Sequence, residues 1–471
     1  MTTTALAPVS DRRLTFLSLV LALGMFVTLL DTTVVNIALD TLRSAFDSTV
    51  GQTQWVATGY LLALAAVIPV SGWVSEKVGA RNAWLVAMAL FLLGSVLSGL
   101  ATSLPALVAF RAVQGIGGGL VMPITLSIAT RAAGPARVGR ATAIVALPGL
   151  LGPILGNVLG GVILESWSWN WLFFINIPIC LIALVAGMLL LPTTPAQRGH
   201  RLDIVGFLFL TPGVVALAYG VSNVGGVDGL AAPDVWMPLA LSVALLASFT
   251  AHSLSTKRTA LIDVRVFARR SFGIGSLITF FAGFSTYALS FLLPLFYQQV
   301  RGDTVLNTGL LLIASGVGTM FFVVVIRPLT ARLDGRLVIA TGVALTMLGT
   351  VPFALAGAHG SAILLLAGQF AQGLGFAATT FPVLALALAN LSHDEAPHGS
   401  AAFTVVQRIG APFGVAVVAV ILQNLLAGGA VGDAAAFNET FWWVFGLSAI
   451  PLVLAFFLPR TSAVGTAEAI H

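Results

Sequence analysis

Charge is scarce in this chain. Only 8% of its 471 residues are Asp, Glu, Lys or Arg, against about 25% in an ordinary soluble domain. The single cysteine, Cys180, excludes a disulfide within the chain. Because 58% of the residues are hydrophobic, a soluble core of this length has no place for so much apolar surface. The composition therefore predicts an all-α polytopic membrane protein.

Several features of other protein classes are also missing. No basic stretch is interleaved with aromatic residues, as nucleic-acid surfaces require, so nucleic acid is not an expected partner. The chain has no HExxH motif and no second acid inside a span, and no large soluble segment follows any span. We therefore expect no enzyme, no metal and no cofactor. The expected partners are a small-molecule substrate, protons and the lipid bilayer, and we expect a monomer.

Long apolar runs recur along the whole chain. Each is about the 17–25 residues that a helix needs to cross a hydrocarbon layer of about 30 Å. The fourteen predicted spans are 14–38, 54–74, 82–102, 105–130, 141–164, 169–191, 204–222, 236–254, 272–298, 308–329, 337–357, 361–389, 401–426 and 440–459.

The basic residues predict the orientation of these spans. If the N-terminus is cytoplasmic and the spans alternate, every Lys and Arg lies on the cytoplasmic side except Arg43, Arg111, Arg301 and Arg408. This is a strong positive-inside bias. The sequence therefore predicts a multi-pass protein of the inner (plasma) membrane with both termini in the cytoplasm.

Asp31 is the one acid that falls squarely inside a predicted span. A charged group at that depth costs about 2.5–3.5 kcal/mol on insertion scales, so it marks a functional site by default. Arg111 lies in the fourth span and cannot deprotonate, so it must face a carboxylate, backbone carbonyls or water. At about 1.5 Å per residue both side chains lie in the outer half of the layer. Asp31 is therefore the predicted partner of Arg111.

The chain contains an internal repeat. Residues 111–117 (RAVQGIG) match residues 369–375 (QFAQGLG). Both stretches have the same orientation in the predicted topology, so the halves are parallel repeats about an axis along the membrane normal. Two like-oriented bundles need an even number of spans between them. The predicted domains are residues 1–196, two extra helices with linkers in 197–260, and residues 261–471.

Four stretches resemble those of a known family. They are residues 30–39 (LDTTVVNIAL), 72–81 (GWVSEKVGAR), 111–119 (RAVQGIGGG) and 148–161 (PGLLGPILGNVLGG). On these motifs the chain resembles the major facilitator superfamily, and more narrowly its fourteen-span drug/proton antiporters. The resemblance covers essentially the whole chain. It implies two six-helix bundles joined by two extra helices.

The resemblance also implies roles for particular residues. In the family the first-span acid and the fourth-span arginine, here Asp31 and Arg111, serve proton coupling. The loop between spans two and three acts as a conformational latch, here Gly72, Glu76, Lys77, Gly79 and Arg81. The fifth span carries the antiporter motif, here Pro148, Gly152, Pro153 and Gly156. The candidate substrate contacts are Met25, Thr28, Thr32, Asn36, Gln54, Trp55, Thr58, Tyr60, Asn157, Phe284, Tyr287 and Gln298.

Together these features predict a proton-coupled antiporter. It would export small hydrophobic or monovalent cationic compounds, such as drugs and antibiotics, by alternating access, with Asp31 as proton carrier. A single acid inside the membrane favours one proton per cycle. The alternative is a dedicated exporter of one endogenous metabolite, lipid or self-made antibiotic.

Overall fold

The spans predicted from the apolar runs are helices. The computed structural model describes residues 11–133, 137–193, 203–223, 232–256, 264–326, 333–357, 360–388, 396–427 and 433–459. Within these residues, 13 helices are long and apolar enough to cross a membrane, and Val138–Ser166 coincides with the remaining predicted span. The described parts of the chain contain no β-strand. The predicted all-α polytopic fold is confirmed.

The long helices are named α1 to α14 in chain order. A short helix, Leu39–Ala45, follows the first long helix on the predicted outer side. π-Helical turns extend the ninth long helix to Val300 and the tenth to Ile326. The bounds are α1 (Asp11–Ile37), α2 (Val50–Val67, continued by Ser71–Val78), α3 (Ala80–Gly99), α4 (Leu104–Ala133), α5 (Val138–Ser166), α6 (Trp171–Phe174 and Asn176–Leu190), α7 (Ile204–Asn223), α8 (Pro233–Ser255), α9 (Arg270–Leu295), α10 (Val305–Phe321), α11 (Gly335–Leu355), α12 (Ala362–Leu388), α13 (Ala396–Ala427) and α14 (Asp433–Phe456).

Local sequence signals explain where α2 begins and ends. Thr49 Oγ1 accepts a hydrogen bond from the Gln52 backbone N–H at 3.2 Å, and Gln52 Oε1 accepts one from the Thr49 N–H at 3.1 Å. This capping box satisfies two donors that a helix start leaves unpaired. Pro69 lies in a tighter turn between the two segments of α2. The helix ends at Gly79, whose φ of 84° is readily reached only without a side chain.

The helices pack as two groups with two seams between them. Helices α1 to α6 contact one another, as do α9 to α14, while α5 packs on α10 and α2 packs on α13 across the middle. The extra hairpin α7–α8 packs through α7 on α13 and α2. The predicted domain boundaries fall within residues 194–202 and 257–263, outside the described residues, so the exact division stays a prediction.

The repeated motif packs in the same way in both halves. A Cβ on Gly115 of α4 would meet the carbonyl oxygen of Tyr60 in α2, and a Cβ on Gly373 of α12 would meet that of Ser315 in α10. Glycine lets the two backbones of each pair approach closely. Helix α4 therefore sits on α2 as α12 sits on α10, which supports the parallel repeat read from the sequence.

Candidate functional site

Asp31 is enclosed by hydrogen-bond donors in the core of the first half. Its side chain is 0% exposed. Oδ2 accepts from Arg111 Nη1 at 2.5 Å, and Oδ1 accepts from Gln114 Nε2 at 2.8 Å and from Asn176 Nδ2 at 3.0 Å. A buried ion pair persists when its remaining lone pairs are hydrogen-bonded, as they are here. The contact with Arg111 that the residue depths predicted is present.

Arg111 has further partners besides the carboxylate. Its Nε donates to the Val56 carbonyl oxygen at 3.3 Å and its Nη1 to Gln114 Oε1 at 2.7 Å. The guanidinium carbon lies 4.1 Å from the centroid of the Tyr60 ring, within the range of a cation–π contact. The Tyr60 hydroxyl in turn donates to the Thr28 carbonyl at 3.4 Å. The guanidinium therefore keeps several favourable contacts that do not depend on the charge of Asp31.

Asn176, like Gln114, is a partner of Asp31 for which the sequence predicted no role. It begins the longer segment of α6, and its Nδ2 donates to Ser95 Oγ of α3 at 3.0 Å as well as to Asp31. Ser95 Oγ donates to the Phe173 carbonyl at 2.9 Å. Asn176 Oδ1 has no hydrogen-bond partner among the described residues. Helices α1, α2, α3, α4 and α6 thus all contribute to one buried polar network.

A cavity of about 320 Å³ lies between the two halves. Its size is at the lower end of the range of small-molecule sites. Helices α1 and α5 form one wall and α9 to α13 form the rest. No acidic or basic side chain is among the described residues that line it, which are Leu29, Thr32, Thr33, Asn36, Asn157, Gly283, Thr286, Tyr287, Leu289, Ser290, Leu293, Leu312, Ser315, Gly316, Thr319, Thr346, Gln372, Gly373, Phe376 and Gln407.

The acid and the cavity lie on opposite faces of α1. Leu29, Thr33 and Asn36 line the cavity, whereas Asp31 points to α4 and α6. A helix turns about 100° per residue, so Asp31 and Thr33 are about 200° apart around its axis. Asp31 does not line the cavity, and one helix separates the charged network from the space between the halves.

The predicted substrate contacts divide into two groups. Thr32, Asn36, Asn157 and Tyr287 line the cavity. The other eight do not line it. The spans are apolar on nearly all sides, so their residue pattern does not indicate which side chains face the cavity. These eight residues lie elsewhere: Met25 and Phe284 in the apolar core, Thr28 and Tyr60 beside Arg111, Gln54 and Thr58 buried in α2, Trp55 against the Tyr219 ring, and Gln298 donating to the Ile37 carbonyl.

The predicted latch residues lie where α2 meets α3. Gly72, Glu76 and Lys77 are in the last segment of α2, and Gly79 joins it to α3. Arg81 Nη1 donates to Thr193 Oγ1 at 2.9 Å, and its Nη2 donates to the Met188 carbonyl. Arg81 thereby holds the end of α6, which belongs to the same half. The latch role stays a prediction.

The glycines of the predicted antiporter motif pack on α1. A Cβ on Gly156 would collide with Thr33 Oγ1, and one on Gly152 would lie 2.9 Å from Leu29 Cβ. Small residues at such positions allow close helix approach in a membrane. Helix α5 therefore lies tightly along the cavity-lining face of α1. The side chains of Pro148, Pro153 and Arg408 lie outside the described part of the chain.

Comparisons with known proteins agree with this architecture. The family model of the Major Facilitator Superfamily matches residues 21–415 and 275–469. The chain is 33% identical over 394 residues to a Mycobacterium tuberculosis protein named multidrug resistance protein B homolog, covering 83% of this chain and 73% of that one. It is 29% identical over 436 residues to the putative multidrug resistance protein MdtD of Serratia proteamaculans, covering 93% and 90%.

Solved structures share the fold at low sequence identity. The crystal structure of a bacterial homolog of the human lysosomal transporter Spinster, inward-facing and unoccupied, superposes with a TM-score of 0.67 at 14% identity, covering 96% of this chain and 98% of that one. The POT family transporter PepTSo gives a TM-score of 0.69 at 13% identity, covering 95% and 98%. At such identities the likeness shows the fold alone.

Proposed function

Because the chain belongs to the major facilitator superfamily, we propose that it is a proton-coupled multidrug exporter that works by alternating access. In this proposal it removes small hydrophobic or monovalent cationic compounds from the cytoplasm in exchange for protons. It resides in the inner (plasma) membrane as a monomer with both termini in the cytoplasm. The names of the relatives support multidrug efflux, and the positive-inside bias supports the orientation.

The enclosure of Asp31 is the observation that carries proton coupling. In the ionised state the carboxylate accepts three hydrogen bonds, one of them from Arg111. Protonation removes the negative charge and turns one oxygen into a donor. Arg111 then still has the Val56 carbonyl, Gln114 Oε1 and the Tyr60 ring. Arg111 therefore keeps favourable contacts in both protonation states of Asp31, which supports the proposal that this acid changes its charge inside the membrane.

Helix α1 connects the proton site to the substrate cavity. Its Asp31 face is held by α4 and α6, while its Thr33 face lies against α5 and the cavity. Protonation weakens the hold on the first face, so α1 is free to shift relative to α4 and α6. Because α5 packs tightly on α1 and also forms the α5–α10 seam, such a shift is transmitted to the contact between the halves.

Two hydrogen bonds at the predicted outer side join the halves close to the cavity. Gln298 Nε2 donates to the Ile37 carbonyl at 3.0 Å, directly beyond the cavity-lining Asn36. Gln299 Nε2 donates to Asp40 Oδ1 at 2.5 Å. These bonds join α9 of the second half to the outer end of the first half. In the proposed cycle they break when the cavity turns from the cytoplasm to the outside.

The test is proton movement driven by substrate in liposomes. The purified chain is reconstituted with a pH gradient, and proton flux is recorded on addition of compounds from a drug panel. We expect Asp31→Asn to abolish this flux, because an amide cannot carry the proton. Asp47→Asn is the matched control, since it makes the same change in an exposed acid on the predicted outer side. Undiminished coupled exchange in Asp31→Asn would refute the proposal.

The dedicated-exporter alternative has one observation in its favour. The cavity is lined by many directional hydrogen-bonding groups, among them Asn36, Asn157 and Gln372, whereas permissive binding sites are dominated by apolar, adaptable side chains. The same panel separates the two functions. Flux with many unrelated compounds indicates multidrug export, and flux with one chemical type indicates a dedicated exporter.

A further inference from the structure

The cavity offers hydrogen-bonding groups that are not used by the protein. The side-chain amides of Asn36, Asn157 and Gln407 line it, and none makes a hydrogen bond to another group in the described residues. Each amide carries two N–H donors and one oxygen acceptor. Polar groups facing a largely apolar space are stabilised when a ligand or water satisfies them. These amides are therefore placed to bind a ligand that has both acceptors and donors.

The hydroxyl groups of the cavity add acceptors. Thr286 Oγ1 donates its hydrogen to the Ala282 carbonyl at 2.8 Å, and Thr346 Oγ1 donates to the Gly342 carbonyl at 3.2 Å. Ser315 Oγ donates to the Leu312 carbonyl at 3.0 Å. Because each hydrogen is directed at the hydroxyl's own helix, the oxygen lone pairs are what remains for a ligand. Hydroxyl acceptors and amide groups together fit a ligand with amide or hydroxyl groups.

Within the described residues, a cation in this cavity would find no counter-charge in the lining. All the described lining side chains are neutral. The buried acid, Asp31, faces away behind α1, and both of its oxygens are occupied by Arg111, Gln114 and Asn176. Taking an ion out of water costs several kcal/mol when nothing of opposite sign compensates it. An uncharged molecule of the same size does not incur this desolvation cost.

From this lining we infer that the exported compound is uncharged, with an apolar body and several hydrogen-bonding groups, and that a permanent cation is a poor substrate. The inference rests on the proposed function and narrows it, since it removes monovalent cations from the expected range. It also fixes the charge moved in each cycle. One proton entering for one uncharged molecule leaving carries one positive charge inward, so the membrane potential as well as the pH gradient drives export.

Two probes of opposite type test the charge preference. Chloramphenicol is uncharged and has amide and hydroxyl groups, while tetraphenylphosphonium is a permanent monovalent cation. Equilibrium binding of each to the detergent-solubilised full chain is measured without any proton gradient. We expect chloramphenicol to bind at least about tenfold more tightly, a difference of about 1.4 kcal/mol. This readout does not depend on proton coupling, so it stands even if the proposed antiport fails.

A single isosteric change should reduce or cancel the preference. Gln372 lines the cavity on α12, and Gln372→Glu places a carboxylate there. We expect this variant to bind tetraphenylphosphonium about tenfold more tightly than the unmodified chain does. Gln369→Glu is the matched control on the same helix, one turn away and outside the cavity lining. The control retains a hydrogen bond because the Tyr297 hydroxyl, 2.7 Å from Gln369 Nε2, can donate to the new carboxylate.

The outcomes are separable. Tighter binding of chloramphenicol by the unmodified chain, with about tenfold tighter tetraphenylphosphonium binding in Gln372→Glu and no such gain in Gln369→Glu, supports the inference. Equal or tighter binding of tetraphenylphosphonium by the unmodified chain overturns it, as does a failure of chloramphenicol to bind. Loss of proton flux in Asp31→Asn bears on the antiport alone and leaves the charge preference untouched.

Discussion

Gln114 and Gln372 occupy the same place in the two copies of the repeated motif, yet they face different surroundings. Gln114 is 0% exposed and binds both members of the Asp31–Arg111 pair. Gln372 lines the cavity between the halves and donates to the Gly349 carbonyl at 3.0 Å. The glycines that follow each of them pack equivalently, so the backbone scaffold is common to both. The difference lies in the polar side chains that each half has added to it.

The position three residues earlier in the repeat, Arg111 in the first half and Gln369 in the second, differs even more between the halves. Arg111 carries a charge that needs a carboxylate, whereas Gln369 is neutral and its Nε2 donates to the Tyr297 hydroxyl at 2.7 Å. The first half therefore encloses its charge within its own helices. The second half, which supplies most of the cavity wall through α9 to α13, holds no such pair in the described residues. Under the proposed function, one scaffold thus supports two tasks, a proton site in one half and most of a binding surface in the other.

The largest expected effect comes from breaking the charged pair. Arg111→Leu leaves Asp31 buried without its counter-charge, and we expect a loss of about 3–5 kcal/mol in the free energy of unfolding. Thermal unfolding of the purified protein measures this. The double variant Asp31→Leu with Arg111→Leu removes both charges and should recover most of the loss. If Arg111→Leu is as stable as the unmodified chain, the buried Asp31–Arg111 pair does not account for the difference between the first and second halves.

An intermediate effect is expected at Asn176. Asn176→Leu removes one of the three donors to Asp31, and a hydrogen bond to a charged group contributes about 1.5–3 kcal/mol. Substrate-driven proton flux should also fall, since the carboxylate loses one of the three groups that hold it in place. Asn170→Leu is the control, because the Asn170 side chain donates to the neutral Gly99 carbonyl at 2.7 Å. An equal loss of proton flux in both variants would contradict the role given to Asn176.

The smallest effect is expected at the repeat partner of Arg111. Gln369→Leu removes one neutral hydrogen bond to Tyr297, and such bonds between membrane helices average about 0.6 kcal/mol. We expect almost unchanged stability and unchanged substrate-driven proton flux in liposomes. The informative measurement compares the stability and proton flux of Gln369→Leu with those of Arg111→Leu at the equivalent position. Loss of coupling in Gln369→Leu would show that the proton machinery extends into the second half.

The sequence predicts the fold and the central pair because both depend on position along the chain. An apolar run of membrane length has one stable conformation in lipid, so the spans could be counted directly. The depth of Asp31 and Arg111 follows from helix rise, and two charges at one depth in neighbouring spans have strong reason to meet. These arguments need no knowledge of which way a helix faces.

The sequence does not determine which side of each helix contacts the cavity or a neighbouring helix. Asn176 lies among apolar residues near the start of α6, and a polar residue in such a place indicates a functional or buried polar contact. Only the packing of α6 on α1 and α3 shows that its partner is Asp31. Likewise Phe284 and Tyr287 are one turn apart on α9, yet only Tyr287 lines the cavity. A span that is apolar all round has no polar face to fix its rotation.

The hairpin α7–α8 has a consequence for how compounds reach the cavity. Thr211 Oγ1 of α7 donates to the Ala66 carbonyl of α2 at 3.3 Å, and the Tyr219 ring lies 5.8 Å from that of Trp55, while the same helix also contacts α13. Helix α7 therefore lies over the groove where the halves meet. Acyl chains of the surrounding lipid are kept out of that groove, and a compound dissolved in the bilayer has no direct lateral path through it.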